Sequence, residues 1–390
     1  MSMNILILSF YYPPDLSAGS FRTKALVNSL VKDSDKKVTV TVLTTQPSRY
    51  QSYTPAASSV EISEAVTVRR IAVGARCGGF LGQAILFSQY AKEVIKFIKG
   101  KEYDVVFATS SRMMTATLGS FVARKLNIKL FLDLRDLFID ALPDVFPMRV
   151  GCLAAWSLRF LERWTVTKAQ SVNLASPGFV NYFKSQYPNM PFTVHTNGID
   201  DIFIENPLLQ SKPASTKLNI LYAGNIGMGQ GLHHIIPQLA AKLSEQAKFT
   251  VIGCGSAITQ LKSALSQHSV TNVEIIEPVR RTDLIKYYQN ADVLFLHLND
   301  MPSLKNVIPS KLFEYAATEK PILGGLSGFS AEFASNNITN IGIFNPCDVE
   351  SALTALQKLH IGVTDRRDFV SKFSRKQIIK KMANVLLQET

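Results

Sequence analysis

An α/β architecture of two doubly wound parallel-sheet domains is the fold class that this sequence of 390 residues predicts. Three observations carry the expectation. Short apolar runs alternate with longer amphipathic stretches, the pattern of parallel strands covered on both faces by helices. The alternation stops near residue 200 and restarts near residue 218, across a stretch rich in Pro, Asn, Ser and Lys. The chain is also too long for one ordinary core.

The first strand series is expected over Asn4–Ser9, Lys37–Leu43, Val66–Ala72, Asp104–Thr109, Lys129–Leu134, Ser171–Ala175 and Phe192–Thr196. Between them, Ser20–Val31, Gln83–Lys99, Ser111–Leu126 and Leu153–Lys168 repeat apolar side chains at helical spacing. The second series is expected over Leu218–Ala223, Lys248–Ile252, Asn272–Glu277, Asp292–Leu298, Pro321–Gly324 and Ile341–Phe344. The domains are therefore drawn at residues 1–205 and 206–371, with a helix over about 372–390 packing back on the first. Asp200–Thr216 reads as the linker. Ligands of such sheets bind beyond the carboxyl ends of the strands, so the cleft between the domains is the expected site. The polar stretch Gln46–Glu64 reads as a mobile loop over it.

Hydrophobic residues make up 46% of the chain and charged residues 18%, a globular composition with well-buried sheets. Cys77, Cys152, Cys254 and Cys347 are far apart and form no CxxC pair, so they read as buried or incidental thiols in a reducing compartment. The N-terminal apolar run lacks a basic start and a cleavage site and reads as a first core strand. The best candidate for a membrane span, Gly78 to Ala91, is broken by Gln83, Ser88 and Gln89. A cytoplasmic protein is expected. Net charge is +12, and the first 205 residues hold 23 basic against 16 acidic side chains. No zinc-finger spacing, RNP-like strand or Lys/Arg block accompanies this excess, so nucleic acid is not expected as a partner. An anionic membrane surface together with an anionic substrate fits better.

The most informative stretch runs from Pro309 through Ser310, Lys311, Leu312, Phe313 and Glu314 to Ala317. It reads as a helix whose first turn offers backbone N–H groups and a lysine, with a carboxylate three residues on along the same face. One end suits a diphosphate and the other a sugar hydroxyl. A capped amphipathic core helix is the plainer explanation of the same residues. A second signal follows the strand Leu218–Ala223: Gly224-Asn225-Ile226-Gly227-Met228-Gly229-Gln230-Gly231, then a helix from Leu232. Glycines there let the backbone approach a phosphate. The spacing is not GxGxxG, and the next strand ends in Gly253-Cys254-Gly255 without a ribose-binding acid, which argues against a nicotinamide dinucleotide. Asp33-Ser34-Asp35 follows a helix and reads as a solvated turn rather than a metal-binding DxD, and the six histidines lack ligand spacing. No metal or cofactor is expected.

Six motifs in order then make the chain resemble a retaining glycosyltransferase of the GT-B fold, most similar to glycosyltransferase family 4 and to its bacterial O-antigen and capsular polysaccharide members. They are Tyr11-Tyr12-Pro13-Pro14-Asp15 with Gly19; Leu132-Asp133-Leu134-Arg135-Asp136; Leu161-Glu162-Arg163-Trp164 leading to Ser176-Pro177-Gly178; Asn197-Gly198-Ile199-Asp200; Tyr222-Ala223-Gly224-Asn225; and Pro309 to Tyr315. The resemblance implies two Rossmann-like domains facing across a cleft, the first binding the acceptor and the second a nucleotide sugar. It implies that Glu314 bonds the ribose, that the Ser310–Lys311 turn and the Gly224 loop, with Asn225, Gln230 and Gly253, hold the diphosphate, and that Val279 lines the base pocket. Gly19 would face the donor phosphate. Asp15 and Arg135 would lie on the acceptor side, and Asp136 near the reacting carbon or incoming hydroxyl. Asp136, Lys311 and Glu314 are the candidate catalytic residues. The acceptor implied is a glycan or a polyprenyl-diphosphate-linked glycan, at the inner face of the plasma membrane.

Three departures from the family pattern stand out. Asn306 takes the place of a first glutamate, Asn225 and Gln230 replace an arginine and a lysine, and Arg135 stands where many members have histidine. The diphosphate would then rely on Lys311, backbone N–H groups and Lys305 or Arg280. A nucleotide-sugar epimerase or hydrolase, or a non-catalytic subunit of the same fold, are the alternatives. Finally, Leu153, Trp156, Phe160 and Trp164 recur at helical spacing beside Arg149, Arg159, Arg163 and Lys168. Core packing is the favoured explanation, and a surface docking on anionic lipid the other.

Overall fold

The computed structural model describes residues 3–33, 36–49, 55–74, 79–110, 113–137, 148–205 and 217–388, with 79–81 and 148–155 for the backbone alone. Ser34, Asp35, residues 50–54, Cys77 and the linker segment 206–216 lie outside them, as do the side chains of Arg149, Cys152 and Leu153. The chain forms two compact units: residues 1–197 with 375–390, and residues 198–374.

The first unit contains β1 (Met3–Leu8), β2 (Val38–Thr45), β3 (Val60–Ile62), β4 (Val66–Ile71), β5 (Val105–Ser110), β6 (Lys129–Leu134), β7 (Ser171–Leu174) and β8 (Phe192–Val194). Their order in the sheet is β3-β4-β2-β1-β5-β6-β7-β8. Every pairing is parallel except β3 with β4. Ile5 pairs with both Val40 and Val105, and Ile5 to Leu8 are fully buried without alternation, as a central parallel strand covered on both faces requires. Helix Ala18–Lys32 starts at Ser17, whose Oγ accepts the Ser20 N–H at 3.2 Å. Its Leu26 and Leu30 pack with Ile379, Met382 and Leu386 of helix Arg375–Gln388 over the face of β1 and β2.

A buried charge pair crosses this core. Arg22, 1% exposed, donates to Asp133 Oδ2 and Oδ1 at 2.9 and 3.0 Å and to the carbonyls of His195 and Thr196 at 2.8 and 2.5 Å. Asp133 also accepts from Thr109 Oγ1 (3.0 Å) and Asn173 Nδ2 (2.7 Å). Burial opposes its charge, but the Arg22 guanidinium, the Arg135 charge and the Asn173 bond together outweigh burial and hold the carboxyl below the usual range.

Two expectations are corrected here. Val60–Ile62, within the stretch read as a mobile loop, is an antiparallel edge strand on β4. Its side chains are exposed, so it carries no hydrophobic pattern to read. In the stripe on helix Met148–Val166, two aromatics are not core: Trp156 is 73% and Phe160 68% exposed, while Trp164 is half-buried against Arg124. Among the described side chains of this helix, Glu162, Thr165 and Val166 are buried, so that part of the helix turns a different face inward.

The second unit contains β9 (Leu218–Ala223), β10 (Ala247–Ile252), β11 (Val273–Ile276), β12 (Val293–His297), β13 (Ile322–Gly325) and β14 (Ile341–Phe344) in the order β11-β10-β9-β12-β13-β14, all parallel. The order reverses between β9 and β12. Loops leaving the carboxyl ends of these two strands therefore diverge and open a crevice, the topological switch point of a doubly wound sheet.

Candidate functional site

The Gly224 loop leaves β9 at this switch point, and the segment that ends in helix Ser310–Ala317 leaves β12 beside it. The loop is tightly packed. A Cβ at Gly253, whose φ is +147°, would lie 1.8 Å from the Gly224 carbonyl oxygen, and one at Gly255 would lie 2.4 Å from the Ile226 oxygen. The turn after β10 thus lies flush against the loop, with Ile226 N–H donating to the Cys254 carbonyl at 3.0 Å. Here the glycines have a packing reason, in the place where a dinucleotide fold would put an acid. Asn225 Nδ2 donates to Gln230 Oε1 (2.7 Å), which also accepts the Gly227 N–H (3.2 Å). These two side chains are bonded to each other.

Helix Ser310–Ala317 begins at Pro309, which is extended and supplies no side-chain cap. Lys311 and Glu314 meet: Nζ lies 2.7 Å from Oε2 and 3.2 Å from the hydroxyl of the fully buried Tyr288, which donates to the same Oε2 at 3.3 Å. The expectation of a cation at one end and a carboxylate at the other is therefore modified, because the three-residue spacing closes them into one pair. Burial, then the Glu314 charge, hold the Tyr288 hydroxyl well above its ordinary pKa, so it remains a donor. Arg281 pairs with Asp200 and comes within 3.7 Å of Glu314 Oε1, its guanidinium 4.9 Å from the Phe203 ring. Tyr315, next on the helix, accepts the Ala223 N–H at 2.9 Å, tying this cluster to the end of β9.

Sequence reasoning missed Arg281 and Tyr288. Both are on helix Arg281–Asn290, seven residues apart and so on one face, which is the signal that was available. Besides Lys311, Arg281 is a second cation near Glu314; its neighbour Arg280 is exposed, and Lys305 pairs with Asp300 at 3.7 Å. Val279 and Asn306 are half-buried in the loops after β11 and β12.

In the first unit Gly19 and Arg135 come together. A Cβ at Gly19 would lie 2.2 Å from Arg135 Nη1, so only glycine lets the guanidinium rest on the first turn of helix Ala18–Lys32. Asp15 is buried, and its Oδ1 accepts the N–H groups of Ser48 (3.0 Å) and Arg49 (2.8 Å), which gives it a loop-holding role. Asp136 lines a small, largely apolar cavity with Met113, Ala116, Leu134, Glu162 and Thr165. Burial raises its pKa to about 6 against the pull of Arg135 and Arg49. Folding thus favours its neutral form, and the stability this gives is lost as pH rises through about 6. Asp136→Asn is expected to flatten stability between pH 4 and pH 7 and to gain about 1–3 kcal/mol on the parent at pH 7 relative to pH 4. Denaturation curves at both pH values check this.

Among the described residues no group of three or more His, Cys, Asp or Glu is placed to hold a metal, and no helix is long and apolar enough to cross a membrane.

Residues 208–376 match the family model described as "Glycosyl transferases group 1". No curated protein matches the sequence. Solved structures do match over nearly the whole chain. Sucrose-phosphate synthase from Thermosynechococcus elongatus superposes with a TM-score of 0.76 at 14% identity, covering 99% of this chain and 98% of that one. Anabaena HepE, in complex with UDP, gives 0.65 at 13% over 99% and 100%. WaaG, a glycosyltransferase involved in lipopolysaccharide biosynthesis, gives 0.65 at 14% over 97% and 95%. The chain has the GT-B fold of glycosyltransferases, and its residues 208–376 match the glycosyl transferases group 1 model.

Proposed function

We propose that the protein transfers a sugar from a nucleoside diphosphate, a UDP-sugar by likeness to the UDP complex of HepE, to a hydroxyl of a glycan or a polyprenyl-diphosphate-linked glycan, with retained anomeric configuration. One observation carries it: in the unit that matches the glycosyltransferase model, the Gly224 loop and the Lys311–Glu314–Tyr288–Arg281 cluster meet at the switch point. The loop and the first turn of the 310 helix would take the diphosphate, and Glu314 the ribose. The bond from sugar to phosphate breaks early, and Lys311 with backbone N–H groups stabilises charge on the leaving diphosphate. The acceptor oxygen attacks from the same face, and its proton passes to a phosphate oxygen. No paired-carboxylate nucleophile is invoked.

Incubation with a panel of nucleotide sugars, with and without glycan acceptors, tests this. Nucleotide release that needs acceptor supports transfer. Donor conversion without acceptor would instead indicate an epimerase or hydrolase, and binding without turnover a non-catalytic subunit.

For the cytoplasmic face of the membrane we propose helix Met148–Val166 as the contact. Exposed Trp156 and Phe160 stand beside exposed Arg159 and Arg163, a combination suited to an anionic lipid interface. Arg159→Glu with Arg163→Glu is expected to abolish binding to phosphatidylglycerol vesicles that the parent retains at low salt. Unaltered, salt-insensitive binding would refute the contact.

A further inference from the structure

The glycine loop of the second unit is held by a buried imidazole to which no motif pointed. His297 ends β12 at the switch point and is fully buried. Its Nδ1 lies 2.6 Å from the Gln230 carbonyl oxygen, which only accepts, so Nδ1 carries the proton and donates. Its Nε2 then accepts the Cys347 N–H at 2.9 Å. One neutral tautomer satisfies both ends. Burial lowers its pKa to about 4 despite the bond to Gln230, so the ring is neutral near pH 7.

The surroundings fix the ring as well as its bonds. Phe344 stacks at 5.9 Å and 22°, and a Cβ at Gly325 would lie 2.3 Å from the His297 Cδ2. Cys347 has a left-handed backbone, φ +64°, at the residue that presents its N–H to the ring. Asn299 reinforces the link: its N–H donates to the Gly229 carbonyl (2.9 Å), its Nδ2 to the Met228 carbonyl (3.1 Å), and its Oδ1 lies 3.3 Å from Cys347 Sγ. Three successive residues of the loop, Met228 to Gln230, are thereby anchored through their carbonyls.

We propose that His297 is a positioning residue for the donor diphosphate: by bonding Gln230 and Cys347 at once, it sets the path of the Gly227–Gly231 backbone at the switch point. The inference rests on the nucleotide-sugar reading. Loss of these bonds should leave the base and ribose contacts in place and loosen the phosphate contacts, which a general loss of packing would not do selectively.

The test is calorimetric binding of UDP or GDP, whichever the parent binds tighter, and of the matching nucleoside, with donor and acceptor KM from nucleotide release. His297→Leu removes both bonds at similar volume. It is expected to weaken the diphosphate about fivefold and raise donor KM, while nucleoside affinity and acceptor KM stay within about twofold. His297→Gln, which keeps a donor and an acceptor, is expected to recover most of the loss. Gly325→Ala displaces the ring without altering its polar atoms and should give the same selective loss, which keeps the test open if His297→Leu does not fold. Equal losses for diphosphate and nucleoside, or no loss in folded variants, would overturn the proposal. Failure of the parent to bind either diphosphate would overturn the donor reading, and the inference with it.

Discussion

Replacing Arg22 with methionine is expected to destabilise the first unit by about 3–5 kcal/mol. The pair is nearly inaccessible, with both side chains 1% exposed, so water cannot take over when one partner is removed. Arg22→Met leaves the Asp133 carboxylate with Thr109 and Asn173 as its donors among the described residues and Arg135 as a more distant charge, and takes the guanidinium from the carbonyls of His195 and Thr196. Pairing the change with Asp133→Leu should restore part of the loss, because the buried charge that has lost its main partner goes while the two carbonyls still lack their donor. Chemical denaturation of the single and double variants checks both statements. A loss below about 1 kcal/mol for Arg22→Met would show that the pair is not a structural anchor.

Removal of the Glu314 carboxylate is expected to cut kcat/KM by more than about tenfold, or 1.4 kcal/mol. Glu314 is 5% exposed, and its Oε2 accepts from Lys311 and Tyr288. Glu314→Ala therefore removes the proposed ribose acceptor and also releases the ammonium that it holds over the first turn. Lys311→Ala should lose a similar factor by a different route, since a positive charge near the leaving diphosphate disappears. Kinetics of both variants, alongside their denaturation curves, separate loss of function from loss of fold. Unchanged kinetics would place the chemistry on another helix.

How far the sequence revealed this molecule depended on the reach of each signal. Central strands such as β1, β5, β9 and β12 were legible because parallel strands covered on both faces must be apolar throughout, a property visible within a few residues. β3 was not, because an exposed three-residue edge strand has no such requirement. Spacing on helix Met148–Val166 showed that Trp156 and Phe160 share a face, but not whether that face turns inward. Lys311 and Glu314 were readable as neighbours at three residues. Arg22 with Asp133, 111 residues apart, and His297 with Cys347, 50 apart, were not, since their meeting depends on the whole sheet order. Arg281 lay between these cases: its helix was readable, but its approach to Glu314 was not.

A structure of the protein with a bound nucleoside diphosphate decides whether the donor sits at the β9–β12 switch point. The diphosphate is expected against the Gly224 loop and the first turn of helix Ser310–Ala317, with a ribose hydroxyl within hydrogen-bond distance of Glu314. A nucleotide bound away from the β9–β12 switch point, with the Lys311–Glu314 pair untouched, would contradict it.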